Sequence, residues 1–271
     1  MGCDEAYPEE GPAHTVTVEP FWMDVAPVTN DRFGEFVRAT GWVTLAERGP
    51  DPNQFPDADP ALLVPGSAIF VQPSGPVDLD QPYRWWAYRP GVDWRHPWGP
   101  SSSLAGRDDH PVVHVAFDDA VAYAEWAGKR MPTEAEWEWA AWGGETPHPL
   151  APDVSAPNAN VWHGRFPWEP MGRPDTTAVG VFGMNGYGLV DMLGNAWEWT
   201  TTWFDHRHVP GAKPCCGPKR FDPAAPTTPL RVAKGGSFLC SADYCARYRP
   251  SARLGAAVDT STCHLGFRCV S

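Results

Sequence analysis

Residues 126–142 read WAGKRMPTEAEWEWAAW, and this stretch decides the helical part of the fold. Asp118 and Asp119 upstream can start a helix whose apolar positions Val121, Ala122, Ala124, Trp126 and Ala127 run to Gly128, a residue suited to a helix stop. A second helix opens at once, because Thr133 with Glu136 three positions later forms a capping box. Trp137, Trp139 and Ala140 then supply its apolar side, read as core packing and not as a cofactor box.

Upstream, His14-Thr15-Val16-Thr17-Val18-Glu19 alternates as a half-buried strand does. Thr29-Asn30-Asp31 offers capping side chains before a helix containing Arg32-Phe33-Gly34-Glu35-Phe36-Val37. From Gly49 to about Pro111 the chain is rich in Pro, Gly, Asp and aromatic residues without periodicity. Trp85, Trp86, Trp94 and Trp98 are expected to pin that segment to the body around a surface groove. Downstream, Gly266-Phe267-Arg268-Cys269-Val270 reads as a closing strand. No repeat of 20–50 residues is present, which argues against a solenoid or propeller. The expectation is an α+β fold, one domain over residues 1–271, poor in regular secondary structure.

Composition agrees. Thirty-one Pro and 26 Gly shorten regular elements, while 15 Trp supply burial from irregular loops, so the chain reads as compact and not as disordered. A net charge of -12 argues against a nucleic-acid partner, which needs clustered Lys and Arg. No apolar run approaches the roughly 20 residues that span a bilayer, and the start, MGCDEAYPEE, is acidic. Met1-Gly2-Cys3 suggests lipidation, but Ala6 stands where a myristoylation signal carries Ser or Thr. No membrane partner and a cytoplasmic location are therefore expected. Seven cysteines are too few and too clustered for a disulfide framework, so several are expected to be free thiols, metal ligands or redox groups.

Residues 235–249, GGSFLCSADYCARYR, hold the densest group of reactive side chains. Cys240 and Cys245, ringed by Arg and Tyr, can form a disulfide, carry one soft metal ion together, or be two unrelated buried thiols. Arg247, Arg249 and Arg253 would favour thiolate. Two thiolates without harder ligands suit copper(I), and no second Cys pair or His completes a zinc pattern. His110 and His114 are four apart, but the Pro and Val around them favour strand-edge packing over a metal pair. Cys215-Cys216 lies in a Pro-rich loop as exposed thiols or a local redox pair.

The segments His110-Pro111-Val112-Val113-His114-Val115, Trp126 through Glu138, Asn185-Gly186-Tyr187-Gly188-Leu189, Gly194-Asn195-Ala196-Trp197-Glu198-Trp199, Gly235-Gly236-Ser237 and Gly266-Phe267-Arg268 occur in this order. Together they resemble the sulfatase-modifying-factor superfamily, a C-type-lectin-like fold. The stretches Ser-Phe-Leu-Cys and Tyr-Cys-Ala-Arg-Tyr-Arg resemble the active-site signature of its formylglycine-generating enzymes.

That resemblance implies that Cys240 and Cys245 are copper(I) ligands and that Ser237 lines a pocket for dioxygen. It implies a client, an unfolded sulfatase or peptide carrying Cys-x-Pro-x-Arg, whose cysteine becomes Cα-formylglycine. It implies a structural calcium at Asp191, Gly194, Ala196 and Glu198, and a second at Asn160 and the Val161 carbonyl. The second set departs from the family pattern over residues 168–175, where Asp175 is the substitute. Arg253 and His264, the latter replacing the family's usual amide residue, fall along the substrate groove, with Trp86 and Tyr244 as further contacts. The family's usual partner position for Cys269 holds Ala124, and Pro250 and Ala141 occupy another disulfide's positions, which fits a reducing compartment. Members usually enter their first strand before Met1-Gly2, so the start resembles a trimmed one. A monomer is expected. The competing reading is a non-catalytic C-type-lectin-like binding module with structural cysteines, which would bind no copper.

Overall fold

The computed structural model describes residues 1–53, 59–60, 63–145, 158–211, 217, 220–222 and 225–271. In chain order come helices α1 (Asn30–Thr40) and α2 (Leu45–Arg48) and strands β1 (Gly66–Phe70) and β2 (Trp86–Pro90). Helices α3 (Phe117–Trp126) and α4 (Glu134–Trp142) follow, then strands β3 (Gly164–Arg165), β4 (Glu169–Pro170), β5 (Trp197–Trp203), β6 (Phe221–Asp222), β7 (Ala225–Lys234), β8 (Arg253–Ala257) and β9 (Leu265–Gly266). The expected mixture of helix and strand is present.

The helices start where their side chains satisfy the free amides of the first turn. At α1 the Thr29 hydroxyl accepts from Arg32 N–H, and at α4 Thr133 and Glu136 exchange bonds as a capping box. At α3, Asp119 accepts from the Ala116 amide at 2.9 Å. Phe33 and Phe36 on α1 meet Tyr123 on α3, with Trp94 edge-on to Phe33 at 5.1 Å, building the main core.

The principal sheet turns on β7, which pairs antiparallel with β5 along one edge. Its other edge is shared, β6 on its first half and β8 on its second, the latter in register from Leu230↔Ala257 to Lys234↔Arg253. Strand β9 then joins β5 in parallel, with Trp197 opposite Leu265. Arg268 follows directly and forks onto Glu198 of β5, both nitrogen–oxygen distances being 2.7 Å.

The sheet's inner end carries charge out of water. Lys234 is fully buried between Glu138 at 3.0 Å and Glu134 at 3.6 Å, and Arg253 reaches Glu134 at 2.8 Å. Buried ions persist only when paired and hydrogen-bonded, so this cluster locks α4 against β7 and β8.

Several expectations are corrected. Residues 14–19 are extended but belong to no strand; they lie at the surface with no neighbouring ladder. The long segment after Gly49 contains β1 and β2, paired antiparallel from Gly66↔Pro90 to Phe70↔Trp86. The closing strand is shorter than expected: after β9, Val270 makes only isolated bridges to Met23 and Arg130. Trp139 is 52% exposed, because the buried side of α4 is formed by Trp137, Ala140 and Ala141. Trp94 packs on α1 and walls no groove. Cys269 and Cys263 are buried free thiols, each pushed up to about 12 by burial. Cys215-Cys216 lies outside the described residues.

Candidate active site

Past Lys234 the chain leaves the sheet through Gly235 and Gly236, at φ of 95° and 77°. A Cβ on Gly236 would come within 3.0 Å of the Arg247 carbonyl and the Tyr248 Cα, so only glycine admits this close approach. The turn that follows is knotted by its own bonds. Cys240 N–H donates to the Ser237 carbonyl at 2.9 Å, and Ser237 N–H donates back to Cys240 Sγ at 3.4 Å. Ser237 is fully buried, its Oγ accepting from Leu239 N–H. Trp162 N–H holds the Cys240 carbonyl, and Cys245 N–H closes onto the Ser241 carbonyl at 2.8 Å.

These bonds leave the sulfurs of Cys240 and Cys245 3.6 Å apart, both as free thiols. The pair is asymmetric. Cys240 is 2% exposed, whereas Cys245 reaches the surface in part. Burial, reinforced by its hydrogen bond and charge relation to Cys245, raises the Cys240 thiol well above the usual thiol range. Donation from Cys240 lowers Cys245, and the Arg247 guanidinium, with Nη1 3.7 Å from its sulfur, adds to this against the cost of burial. The two sulfurs are thus pushed in opposite directions, Cys240 up and Cys245 down.

One exposed ring, Tyr244, adjoins Cys245 and is backed by two buried ones. Tyr244, 37% exposed, stacks on Phe166 at 4.7 Å and stands edge-on to Trp85 at 5.5 Å. The neighbouring Trp86 turns its ring to His264 at 4.9 Å, so the Trp85-Trp86 pair joins the Tyr244 side to the His264 side. His264 bonds Thr262 Oγ at 2.7 Å and lines a cavity of about 330 Å³ together with Trp197, Thr262 and Leu265. Burial, with His114 nearby, pushes its imidazole down to about 3. A larger concavity of about 1270 Å³ lies between α2, β1 and residues 258–262, and neither cysteine lines it.

Arg253 does not join this group. It is 2% exposed and spends its guanidinium on Glu134 and the carbonyls of Glu9 and Asp205. The expectation that it faces a substrate is corrected, because its carboxylate partner, distant in sequence, draws it inward. His110 bonds Thr176 and His114 bonds Ser67 and the Pro97 carbonyl, so the two imidazoles have separate protein partners.

Asp191, Gly194 and Asn195 adopt positive φ and fold a tight turn into β5. Asp191 and Glu198 lie close enough that, after burial, the charge of Glu198 helps to raise Asp191. Glu198 Oε2 accepts from Trp137 and Arg268, while Oε1 accepts from Arg268 alone. The donor set of two carboxylates with intervening carbonyls fits a hard cation. The second set is engaged by other protein groups. Asp175 is held by Arg107 and Arg173, the Asn160 side-chain nitrogen donates to the Asp175 carbonyl, and the Asn160 carbonyl accepts from Asn195 N–H. Asp175 is thus paired with arginine, as Glu198 is. Among the described residues, no three His, Cys, Asp or Glu side chains gather into a metal cluster.

Sequence reasoning missed Tyr7 and Glu9, which touch this loop from the far end of the chain. The Tyr7 hydroxyl accepts from Ala246 N–H at 3.2 Å, and Glu9 accepts from Arg247. No local motif marks them.

A family model described as sulfatase-modifying factor enzyme 1-like domain matches residues 1–271. The formylglycine-generating enzyme of Mycobacterium tuberculosis is 51% identical over 280 residues, covering 100% of this chain and 94% of that protein. The formylglycine-generating enzyme of Thermomonospora curvata is 43% identical, covering 98% and 88%. Among solved structures, PvdO from Pseudomonas aeruginosa shares the fold with a TM-score of 0.61 at 23% identity, over 100% of this chain and 89% of PvdO.

Proposed function

This chain belongs to the sulfatase-modifying factor enzyme 1-like family and is an enzyme of the formylglycine-generating kind, and we propose that it oxidises the cysteine of a Cys-x-Pro-x-Arg segment in an unfolded sulfatase, using copper(I) held by Cys240 and Cys245 together with dioxygen. The observation that carries this reading is the 3.6 Å separation of two free sulfurs, one buried and one reaching the surface. Two soft donors with no harder ligand between them suit copper(I). When bound, that ion supplies a soft coordination position for the client thiolate and a source of electrons for dioxygen.

The protein's own residues do the rest. Cys245 is the sulfur a client strand can approach, and Arg247 offsets the negative charge beside it. Cys240, fixed by the Ser237 amide, anchors the pair from below. Tyr244, backed by the buried rings of Phe166 and Trp85, presents a rigid apolar face against which a proline-containing strand can lie. Trp86 and His264 extend that face. Ser237, adjoining the buried sulfur, is the residue we assign to the dioxygen pocket.

We assign structural calcium to Asp191 and Glu198 with the carbonyls of Gly194 and Ala196. Its support is the presence of two buried carboxylates, Asp191 and Glu198, at a tight turn, although Arg268 also holds Glu198. No helix among the described residues is long and apolar enough to cross a membrane, and we read the protein as acting in the cytoplasm.

The test is direct. Copper(I)-loaded protein with oxygen and a Cys-x-Pro-x-Arg peptide should yield an aldehyde, detected by hydrazone formation and mass spectrometry, while Cys240→Ser and Cys245→Ser yield none and lose stoichiometric copper. Loaded wild-type protein that gives no aldehyde would overturn the proposal.

A further inference from the structure

The thiol loop is covered on one side by a segment remote in sequence. Residues 7–10 form a short turn, Tyr7-Pro8-Glu9-Glu10, seated against residues 245–251. Its seat is Glu10, which is fully buried, receives Arg249 Nη1 at 2.7 Å and accepts from the Ser251 hydroxyl at 3.0 Å. Tyr7 and Glu9 are then free to act on the loop without being what fastens the turn.

Arg247 is the group they act on. Its Nε and Nη2 both go to Glu9 Oε1, at 3.1 and 2.7 Å, and its Cζ lies 3.8 Å over the Tyr7 ring. A guanidinium is planar with its donors in a fixed fork, so tethering two nitrogens and one face sets where the third nitrogen points. Here Nη1 points to Cys245 Sγ. Tyr7 also takes the Ala246 amide, the link between Cys245 and Arg247, and so fixes the main chain beneath that contact.

We propose that Tyr7 and Glu9 are positioning residues for this reaction: they hold Arg247 against the Cys245 sulfur, so that the active site is completed by the N-terminal turn. The proposal rests on the reading of Cys245 as a reacting thiol. Glu9 and Arg247, with 17% and 21% of their side-chain surface exposed, are largely covered, so a contribution to stability is separated from positioning by the melting control and the conservative variant. The pair's placement on the sulfur is what gives it an effect.

The experiment uses the full chain as wild type, Glu9→Gln, Glu9→Asp and Tyr7→Phe, with thermal melting as a control on folding. Copper(I) affinity is measured by competition with a chromophoric chelator, kcat and KM with the client peptide, and the Arg247 Nε–H and Ala246 amide by ¹⁵N NMR hydrogen exchange in metal-free protein. Glu9→Gln should bind copper(I) about tenfold more weakly, in line with other residues that orient metal ligands. It should lower kcat while KM stays within about twofold, since on this assignment the fork orients the sulfur and leaves client contacts alone. It should also expose the Arg247 Nε–H, with Glu9→Asp restoring most of each, and Tyr7→Phe should speed exchange at Ala246. Glu9→Gln with wild-type copper affinity and an unchanged Arg247 Nε–H would overturn the proposal. So would equal losses in Glu9→Gln and Glu9→Asp that track melting temperature. If wild-type protein takes up no copper, the proposed function fails, and the exchange of Arg247 in metal-free protein still decides the positioning role.

Discussion

Arg268 and Arg247 put the same side chain to opposite uses. Arg268 is fully buried and spends its nitrogens on a closed fork with Glu198 and on carbonyls of Asp24, Val25, Val190 and Asp191. Arg247 lies at the surface edge, gives two nitrogens to Glu9 and turns a third to a sulfur. A guanidinium whose donors all end on oxygen fastens elements together, while one that divides them between a carboxylate and a thiol can adjust chemistry. The thiols differ likewise: Cys240 and Cys269 sit among packed side chains, and Cys245 borders a charge.

The largest effect that could break this contrast is in labelling. In metal-free protein at pH 7, iodoacetamide should modify Cys245 roughly a thousandfold or more faster than Cys263 or Cys269, since burial pushes those two up to about 12 and only the thiolate reacts. Mass spectrometry of peptides over time checks this, and comparable rates at the three sites would erase the distinction.

Next comes stability. Arg268→Leu leaves the Glu198 carboxylate buried without its counter-charge, and should cost about 3–5 kcal/mol in urea unfolding.

Acid should follow. His114 is fully buried and accepts neutral packing only, its imidazole pushed by burial from 6.5 down to about 4. An unfolded chain binds that proton more readily, so the contribution is whole above about pH 6.5 and is lost as pH falls toward about 4, amounting to about 3 kcal/mol. Urea midpoints measured at pH 7 and pH 4.5 should show the decline, and His114→Gln should reduce it without abolishing it, since His208 and His264, both pushed down to about 3, lose their contribution over the same range. The smallest effect belongs to Arg247→Leu, expected to cost about 1–2 kcal/mol of stability because Glu9 keeps some access to water when its partner is removed. A larger loss would place Arg247 with Arg268.

Features set by neighbours in sequence were the legible ones. The capping boxes and N-caps of α1 and α4 follow from side chains within three residues of the amides they satisfy, and the Gly128 stop has the positive φ that glycine allows. The cysteine pair was visible as a cluster because its loop is short. Long-range partners were not. Trp137 and Trp139 look alike in the chain, yet only Trp137 finds Glu198 to bond. Arg253 reads as a groove residue until Glu134, 119 positions away, claims it. The alternation at 14–19 is that of a strand, but a ladder needs a neighbour along its length, and the backbone partner among the described residues is Met1, which exchanges bonds with His14 alone. Tyr7 and Glu9 carry no motif, since their meaning comes from a loop about 240 residues later.

The parallel docking of Leu265 and Gly266 beside Trp197 has a bearing on biosynthesis. Everything that β9 and Arg268 cover is translated earlier: Phe33 of α1, the α3 face carrying Tyr123, and Glu198. A nascent chain stalled near residue 260 would present those apolar rings and an unneutralised carboxylate to solvent, with no intermediate closure to shelter them. Closure of the core therefore waits on contacts of high sequence separation, which makes it a late event in folding.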